Sequence, residues 1–325
     1  MPMERPTLLV LRADAPARMI VPELERPLAA ACPAGAELEL IGWIDGVDPF
    51  AEAARLLPTT GRVAAADRMW ASHLLGIQVA ASRVAFEPAS PVIGVVRAVK
   101  DPDELDALRR AGAAADATFT AIRTMPFAGR RETEIASDLA RLLVEHGHRR
   151  ADFTIVASGP NGASPHHVPG DRAIGAGDAV VLDFGGELDG YFSDTTRTVV
   201  VEGPPPGFEE VYEVVRAAQA AAVEAVLPGI EIQEIDRAAR RIVNDAGFAD
   251  RFIHRTGHGI GMEVHEPPYA IEGDRTVLEP GITFSVEPGI YLEGAFGVRI
   301  EDIVAVTPEG VERLNRSTRD LQVVA

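Results

Sequence analysis

The chain of 325 residues lacks several features that whole classes of protein depend on. It has one cysteine, Cys32, so no intrachain disulfide can form. That fits a reducing, cytoplasmic setting and leaves the thiol the role of a small core residue. No apolar run approaches the roughly 20 residues needed to cross a bilayer. The opening MPMERPTLLVLRADAP has a short apolar run hemmed in by charge and proline, not the layout of a secretory signal. Positive charge is scarce: Lys plus Arg is 31 against 49 for Asp plus Glu, a net charge of −18. This argues against general binding to nucleic acid or to an anionic membrane. It serves solubility and leaves room for charge compensation by divalent cations. A hydrophobic fraction of 46% excludes a disordered chain, and the length points to two domains or one large one.

Residues 1–95 alternate short apolar runs with amphipathic ones. Strands are predicted at 7–12, 18–21, 37–43 and 62–66, with helices at 49–57, capped by Asp48, and at 69–77. This is a small α/β domain with no reactive-looking cluster. The run Glu87-Pro88-Ala89-Ser90-Pro91 reads as a linker or strand edge. Beyond it, Asp101 and Pro102 give the N-cap and first position of a helix reaching about Thr124, and a second helix is expected over about 132–146. A strand at 153–158 follows, then a loop through His166-His167.

The stretch AVVLDFGGELDGYFSDTTRT, 179–198, carries two aspartates, Asp183 and Asp194. Val180–Leu182 reads as a buried strand, Gly185-Gly186 and Asp189-Gly190 as turns, and 191–201 as a returning strand. Two more helices are expected at 208–226 and 232–246. Next come a glycine-rich stretch around His258 and strands at 282–286 and 298–306, with Glu287 just past the first and Glu301 inside the second. Each half thus reads as helix, helix, strands, with a pair of carboxylates. We read a weak internal duplication whose pseudo-twofold axis faces the two pairs across one cleft.

Asp183, Asp194, His258, Glu287 and Glu301 form an oxygen-rich set with one imidazole and no thiolate. Such a set suits Mn, Co, Zn or Fe(II) rather than a structural zinc site. Four carboxylates and one histidine exceed the needs of one ion and suffice for two bridged ions. A lone strand-end aspartate is usually a cap or turn residue. A glutamate ending an apolar run carries more weight, because a buried carboxylate needs a partner. The combination carries the argument. The glycines around His258 superficially suggest a dinucleotide loop, but no strand leads into them and a histidine sits inside.

With those residues in view, 96–325 resembles the creatinase, aminopeptidase P and prolidase family of metallopeptidases. Four blocks carry the resemblance: SGPNGASPHH (158–167), LDFGGELDGYFSDTTRT (182–198), TGHGIGMEVHEPP (256–268) and SVEPGIYLEGAFGVRIED (285–302). The resemblance implies an α/β protein with a small N-terminal domain over 1–95 and a pseudo-twofold, pita-bread α+β catalytic domain over 96–325. It implies two divalent ions, Mn first, with Co or Zn as alternatives. Asp183 would bind one ion, Asp194 and Glu301 would bridge, and His258 and Glu287 would complete the other. His166, His254 and His265 would line the cleft, with His166, His254 and Arg299 at the substrate, and Arg299 would also orient Glu301. The activity implied is hydrolysis of the peptide bond before proline, in a dipeptide or at a peptide's N-terminus, by a metal-bridging hydroxide. Glu287 would take up the proton and His265 would stabilise the oxyanion. Tyr191 or Tyr291 could wall a proline pocket. His167, Glu263 and Glu266 are expected to be solvated, and Asp302 to be a turn or edge residue. A homodimer in the cytoplasm is expected. Relative to proline-directed members, the N-terminal domain lacks its opening helix and strand-turn-strand, so it is expected to be incomplete. The alternatives are another metal-dependent hydrolase or lyase on this scaffold, or a binding module that has lost catalysis.

Overall fold

A computed structural model describes residues 5–325. The chain divides into two compact units, Met1–Val95 and Val96–Ala325. The first holds β1 (Leu8–Arg12), β2 (Ala15–Pro22), α1 (Arg26–Ala30), β3 (Glu39–Trp43), α2 (Pro49–Leu56), β4 (Gly61–Ala65), α3 (Ala71–Ala80) and β5 (Val84–Pro88), and α4 (Ser90–Ala98) begins in it. Strands β1–β3 form one sheet and β4–β5 a parallel pair, over a core of Leu8, Ile20, Trp43, Ala53 and Ile77. Asp48 caps α2 by accepting from the Phe50 amide at 2.9 Å, as its sequence suggests. The 87–91 stretch is not a linker. Pro88 ends β5, and the amides of Ala89 and Ser90 are taken by Asp67 at 2.8 and 3.2 Å. Pro91 lies in the first turn of α4, where no backbone donor is needed.

The second unit continues with α5 (Pro102–Ile122), α6 (Glu132–Glu145), β6 (Arg150–Ser158), β7 (Ala179–Leu188), β8 (Tyr191–Phe192), β9 (Thr195–Val201), α7 (Phe208–Glu224) and α8 (Gln233–Asp245). It ends with β10 (Gly257–Gly259), β11 (Glu266–Ala270), β12 (Thr283–Val286), β13 (Gly289–Leu292), β14 (Phe296–Arg299), β15 (Asp302–Thr307), β16 (Gly310–Arg313) and β17 (Gln322–Val324). Helix α5 starts with a full capping box between Asp101 and Glu104. One sheet runs β17-β9-β7-β6 and another β11-β10-β12-β15-β16. The fold is mixed α/β, and its two halves each lay a helix pair against a sheet.

Strand periodicity decides which residues reach the middle of the unit. In β7, Val180, Leu182 and Phe184 pack into the core built with α5 and α6, so Asp183 lies on the other face. In β9, Val199 and Val201 join that same core while Thr196 and Thr198 bond to Glu301 and Arg299. In β12, Phe284 and Val286 enter the core with α7 and α8, while Ser285 bonds to Glu287. Each half therefore packs one apolar sheet face on its own helices; on the second face of β7 and β9, Asp183, Thr196 and Thr198 meet the other half's Arg299 and Glu301, and Ala179 and Val200 join that half's core.

Two details differ from the sequence reading. Gly185-Gly186 is not a turn: β7 runs straight through it, and the chain reverses at Asp189-Gly190, both with positive φ. The two glycines are there for close approach. A Cβ on Gly185 would lie 2.1 Å from the Ser193 carbonyl oxygen, and one on Gly186 2.3 Å from that of Arg150. The returning strand is interrupted at Ser193-Asp194, and the expected 298–306 strand is interrupted at Ile300-Glu301. Asp194 and Glu301 thus both occupy breaks between strands, so neither is bound by strand alternation.

Candidate metal centre

The structure brings Asp183, Asp194, His258, Glu287 and Glu301 together. Three overlapping groups each have one ligand atom per residue within 4.8 Å of the others: Asp183, Asp194 and Glu301; His258, Glu287 and Glu301; and Asp194, His258 and His265. Asp194, Glu301 and His258 each belong to two groups, and of these the two carboxylates are the ones able to bridge through separate oxygens. His258 Nε2 lies 3.5 Å from Asp194 Oδ2 and 3.4 Å from Glu287 Oε1. Its Nδ1 points at the Gly259 carbonyl oxygen, 3.1 Å away. Nδ1 therefore carries the proton, and Nε2 offers its lone pair to the carboxylates. Gly257 lets this strand enter, since a Cβ there would lie 1.8 Å from the Ser285 carbonyl oxygen.

Four buried carboxylates at one point repel one another. Burial, then Glu301, Asp183 and Glu287, push Asp194 well above the ordinary carboxylate range. Burial, then Glu287 and Asp183, do the same to Glu301. Burial raises Glu287 to about 7. Burial, then the neighbouring His265, lower His258 to about 3, so its imidazole is neutral. One oxygen, Glu301 Oε1, is buried with no hydrogen-bond partner. An orphaned buried carboxylate oxygen and a neutral imidazole lone pair facing carboxylates fit divalent cations with oxygen and nitrogen ligands.

Arg299 sets a permanent positive charge against the cluster, and here the sequence expectation needs correcting. Arg299 does not touch Glu301, and it is too fully engaged to bind substrate. It is 3% exposed. Its Nη2 donates to Asp183 Oδ2 at 2.5 Å, Nε to Thr196 Oγ1 at 3.1 Å, and Nη1 to the Tyr291 hydroxyl at 2.9 Å and the Pro165 carbonyl at 3.3 Å. It orients Asp183 directly. It reaches Glu301 only through Thr196, whose hydroxyl donates to Glu301 Oε2 at 2.6 Å.

His254 is likewise held by the protein. Its Nδ1 lies 2.7 Å from the Arg255 carbonyl oxygen and its Nε2 2.8 Å from the Tyr291 hydroxyl. Burial, then the charge of Arg299, lower it to about 3. The ring is neutral with its proton on Nδ1, and Tyr291 donates to Nε2 while accepting from Arg299. A direct hydrogen bond from His254 to a substrate would need one of these bonds to break. Tyr191, the other aromatic guess, gives its hydroxyl to Glu104 at 2.7 Å and packs beside Leu108, Ile260 and Ile303.

His166 and His265 are exposed. His265 stands edge-on to His258, ring centroids 4.1 Å apart. His166 follows Pro165, the residue that Arg299 holds.

Residues expected to be solvated turn out to be structural. Glu266 is 4% exposed and accepts from Lys100 and Arg97. Asp302 is fully buried and takes donors from Arg197, Gln219 and Arg319. His167 bonds to Glu132. Reasoning from the sequence missed Glu132, Thr196 and Asp236. Glu132 Oε1 accepts from the Ser158 amide and hydroxyl, and Asp236 Oδ1 accepts from the Thr256 amide and hydroxyl. Each buried acid, on the second helix of its half, fixes the chain just before a site histidine. The only available signal was an acidic residue early in an amphipathic helix, which ordinarily means a favourable charge at a helix N-terminus.

Residues 106–308 match the model of metallopeptidase family M24, and the chain belongs to that family. It is 42% identical over 326 residues to a protein named probable dipeptidase PepE from Mycobacterium bovis, covering 99% of this chain and 86% of that one. It is 41% identical over 237 residues to an Xaa-Pro dipeptidase from Pyrococcus furiosus, covering 73% and 68%. Among solved structures it is similar to a recombinant prolidase from Thermococcus sibiricus, with a TM-score of 0.93, 37% identity, and 99% and 88% of the two chains covered.

Proposed function

We propose that the protein is a binuclear metallopeptidase that hydrolyses the bond before proline, with a dipeptide as its preferred substrate. The observation that carries this is the sharing of Asp194 and Glu301 between ligand groups in a chain of family M24. A carboxylate common to two groups is what bridging two ions requires, and four carboxylates balance two divalent charges. The names of the Mycobacterium and Pyrococcus relatives favour a dipeptide. We assign Mn as the first ion to test, with Co and Zn next. The two ions supply a water of lowered pKa and an electrophile for the scissile carbonyl.

The chain's own residues do the rest. Glu287, beside His258 in the cluster, would accept a proton and hand it to the departing proline nitrogen. His265, exposed beside His258, donates to the developing oxyanion. His166 contacts the carboxyl end of the substrate. Arg299 holds Asp183 in position, and its bond to Tyr291 ties that arrangement to His254. We further assign the protein as a homodimer. No helix among the described residues is long and apolar enough to cross a membrane.

The test is turnover of an Xaa-Pro dipeptide against a tripeptide with proline second. Chelated protein is given Mn, Co or Zn separately. Cleavage of the dipeptide alone is expected. Cleavage of the tripeptide would reassign the protein as an aminopeptidase. No cleavage by folded, metal-loaded protein would leave the reading to another hydrolase or a lyase.

A further inference from the structure

Within itself, the loop that carries His166 is held by two backbone bonds, the Ser164 amide to the Asn161 carbonyl at 3.0 Å and the His167 amide to the Ser164 carbonyl at 3.2 Å. After β6 it makes a single 3-10 turn, Gly159–Ala163, and then runs without regular structure past Gly170, with prolines at 160, 165 and 169. Such a segment would sample many positions unless fastened from outside.

It is fastened on both sides of His166. On one side, the Pro165 carbonyl accepts from Arg299 Nη1 at 3.3 Å. The 3-10 turn before it lies backbone to backbone on β14, the strand that bears Arg299. A Cβ on Gly297 would fall 1.9 Å from the Gly162 carbonyl oxygen. On the other side, His167 Nε2 lies 2.8 Å from Glu132 Oε2. Glu132 is fully buried, and the same oxygen takes the Gly170 amide at 3.1 Å. Its other oxygen takes the Ser158 amide and hydroxyl and the Asn161 side chain at 2.7–3.0 Å. One carboxylate thus gathers donors from the start, middle and end of the loop. A carboxylate that takes four other donors can only accept, so His167 Nε2 carries a proton and donates. His166 has a tied residue on each side, and consecutive Cα atoms are only about 3.8 Å apart. Its backbone can shift only if one of the ties is released.

We propose that Glu132 and His167 form a latch that fixes the loop beside the metal centre, making both of them positioning residues for the substrate contact of His166. This rests on the reading of His166 given above. Neither residue touches substrate in this account; both act through where His166 stands.

The test uses full-length, metal-loaded enzyme and an Xaa-Pro dipeptide. His166→Ala, His167→Ala, His167→Gln and the double variant His166→Ala/His167→Ala are compared for kcat, KM and melting temperature. His167→Ala is expected to raise KM about tenfold, the loss of one well-placed hydrogen bond, with kcat within about twofold and the melting temperature little changed. His167→Gln, whose amide still donates to Glu132, is expected to recover most of the KM. In the His166→Ala background, His167→Ala is expected to add nothing, because the two act through one contact. Multiplying effects in the double variant, or a wild-type KM in His167→Ala alongside a loss in His166→Ala, would overturn the latch. A wild-type KM in His166→Ala would overturn the assignment of His166 and the latch with it. Glu132→Gln serves as a second variant where it folds. It puts an amide against donors and is expected to raise KM as His167→Ala does; an unchanged KM in folded Glu132→Gln counts against the latch.

Discussion

Asp194→Asn is expected to cut kcat/KM on an Xaa-Pro dipeptide by on the order of 1,000-fold, since the cations provide several kcal/mol of charge stabilisation and each 1.36 kcal/mol is a factor of ten. Asn keeps the volume of Asp194 and removes only its charge. Asp194 is shared between two ligand groups, so neutralising it weakens both at once. The same change should not damage the fold. In the metal-free protein Asp194 sits among three other carboxylates, and its charge is opposed by burial first and then by Glu301. Asn stands in for the protonated, uncharged Asp194 that this setting favours, so metal-free Asp194→Asn is expected to melt no lower than the metal-free parent. Adding Mn should raise the melting temperature of the parent and leave the variant almost unmoved. A variant that stays active, or that unfolds without metal while the metal-free parent does not, would break the link between this carboxylate and the cations.

The second large effect is metal removal. A ligand that binds only the folded state at about 1,000 times its Kd adds about 4 kcal/mol. For a domain of roughly 200 residues that corresponds to about 10 °C in melting temperature. Chelation is expected to cost that much stability together with the activity, and both should return with metal. The metal-free protein should also respond to pH in a definite sense. Glu287 is raised to about 7, and Asp194 and Glu301 are raised as well, so the folded state holds protons that the unfolded state has lost. Their contribution is complete below the unfolded carboxylate value and is lost as pH rises through the folded values. His254 and His258, both lowered to about 3, act the opposite way, and their contribution is complete above the ordinary value of 6.5. Above pH 6.5 the contribution of these two histidines levels off while that of the cluster carboxylates still falls, so metal-free protein is expected to lose stability from pH 6.5 to 8. Metal-loaded protein should not, because cations replace the protons. Thermal melts across that range with and without chelator check this. Equal slopes in the two states would count against it.

The cluster of four carboxylates and one histidine was far more legible in the sequence than its supports. Asp183, Asp194, His258, Glu287 and Glu301 stand out because carboxylates beside apolar strands are costly unless something positive meets them. What the sequence could not show is which residue steadies which ligand. Arg299 is only two positions from Glu301, which suggested that it serves that carboxylate. In the fold the guanidinium crosses to Asp183, and Thr196 from the other half bonds to Glu301. Contacts between halves about a hundred residues apart leave no local pattern. Gly185-Gly186 shows another limit: a glycine pair reads as a turn, yet here it is a flat strand against which Ser193 and Arg150 press their carbonyl oxygens. Buried acids such as Glu132 and Asp236 went unnoticed because an acidic residue early in an amphipathic helix has an ordinary explanation. The strand breaks at Asp194 and Glu301 were missed because no adjacent glycine or proline marks them.

The measurement that most directly tests the central claim is the number and position of metal ions per chain, by anomalous diffraction from Mn-loaded crystals of the parent and of Asp194→Asn. The account requires two ions per chain in the parent, with Asp194 and Glu301 each touching both, and loss of at least one ion in the variant. A fully active enzyme with a single ion, or two ions that do not share these carboxylates, would contradict it.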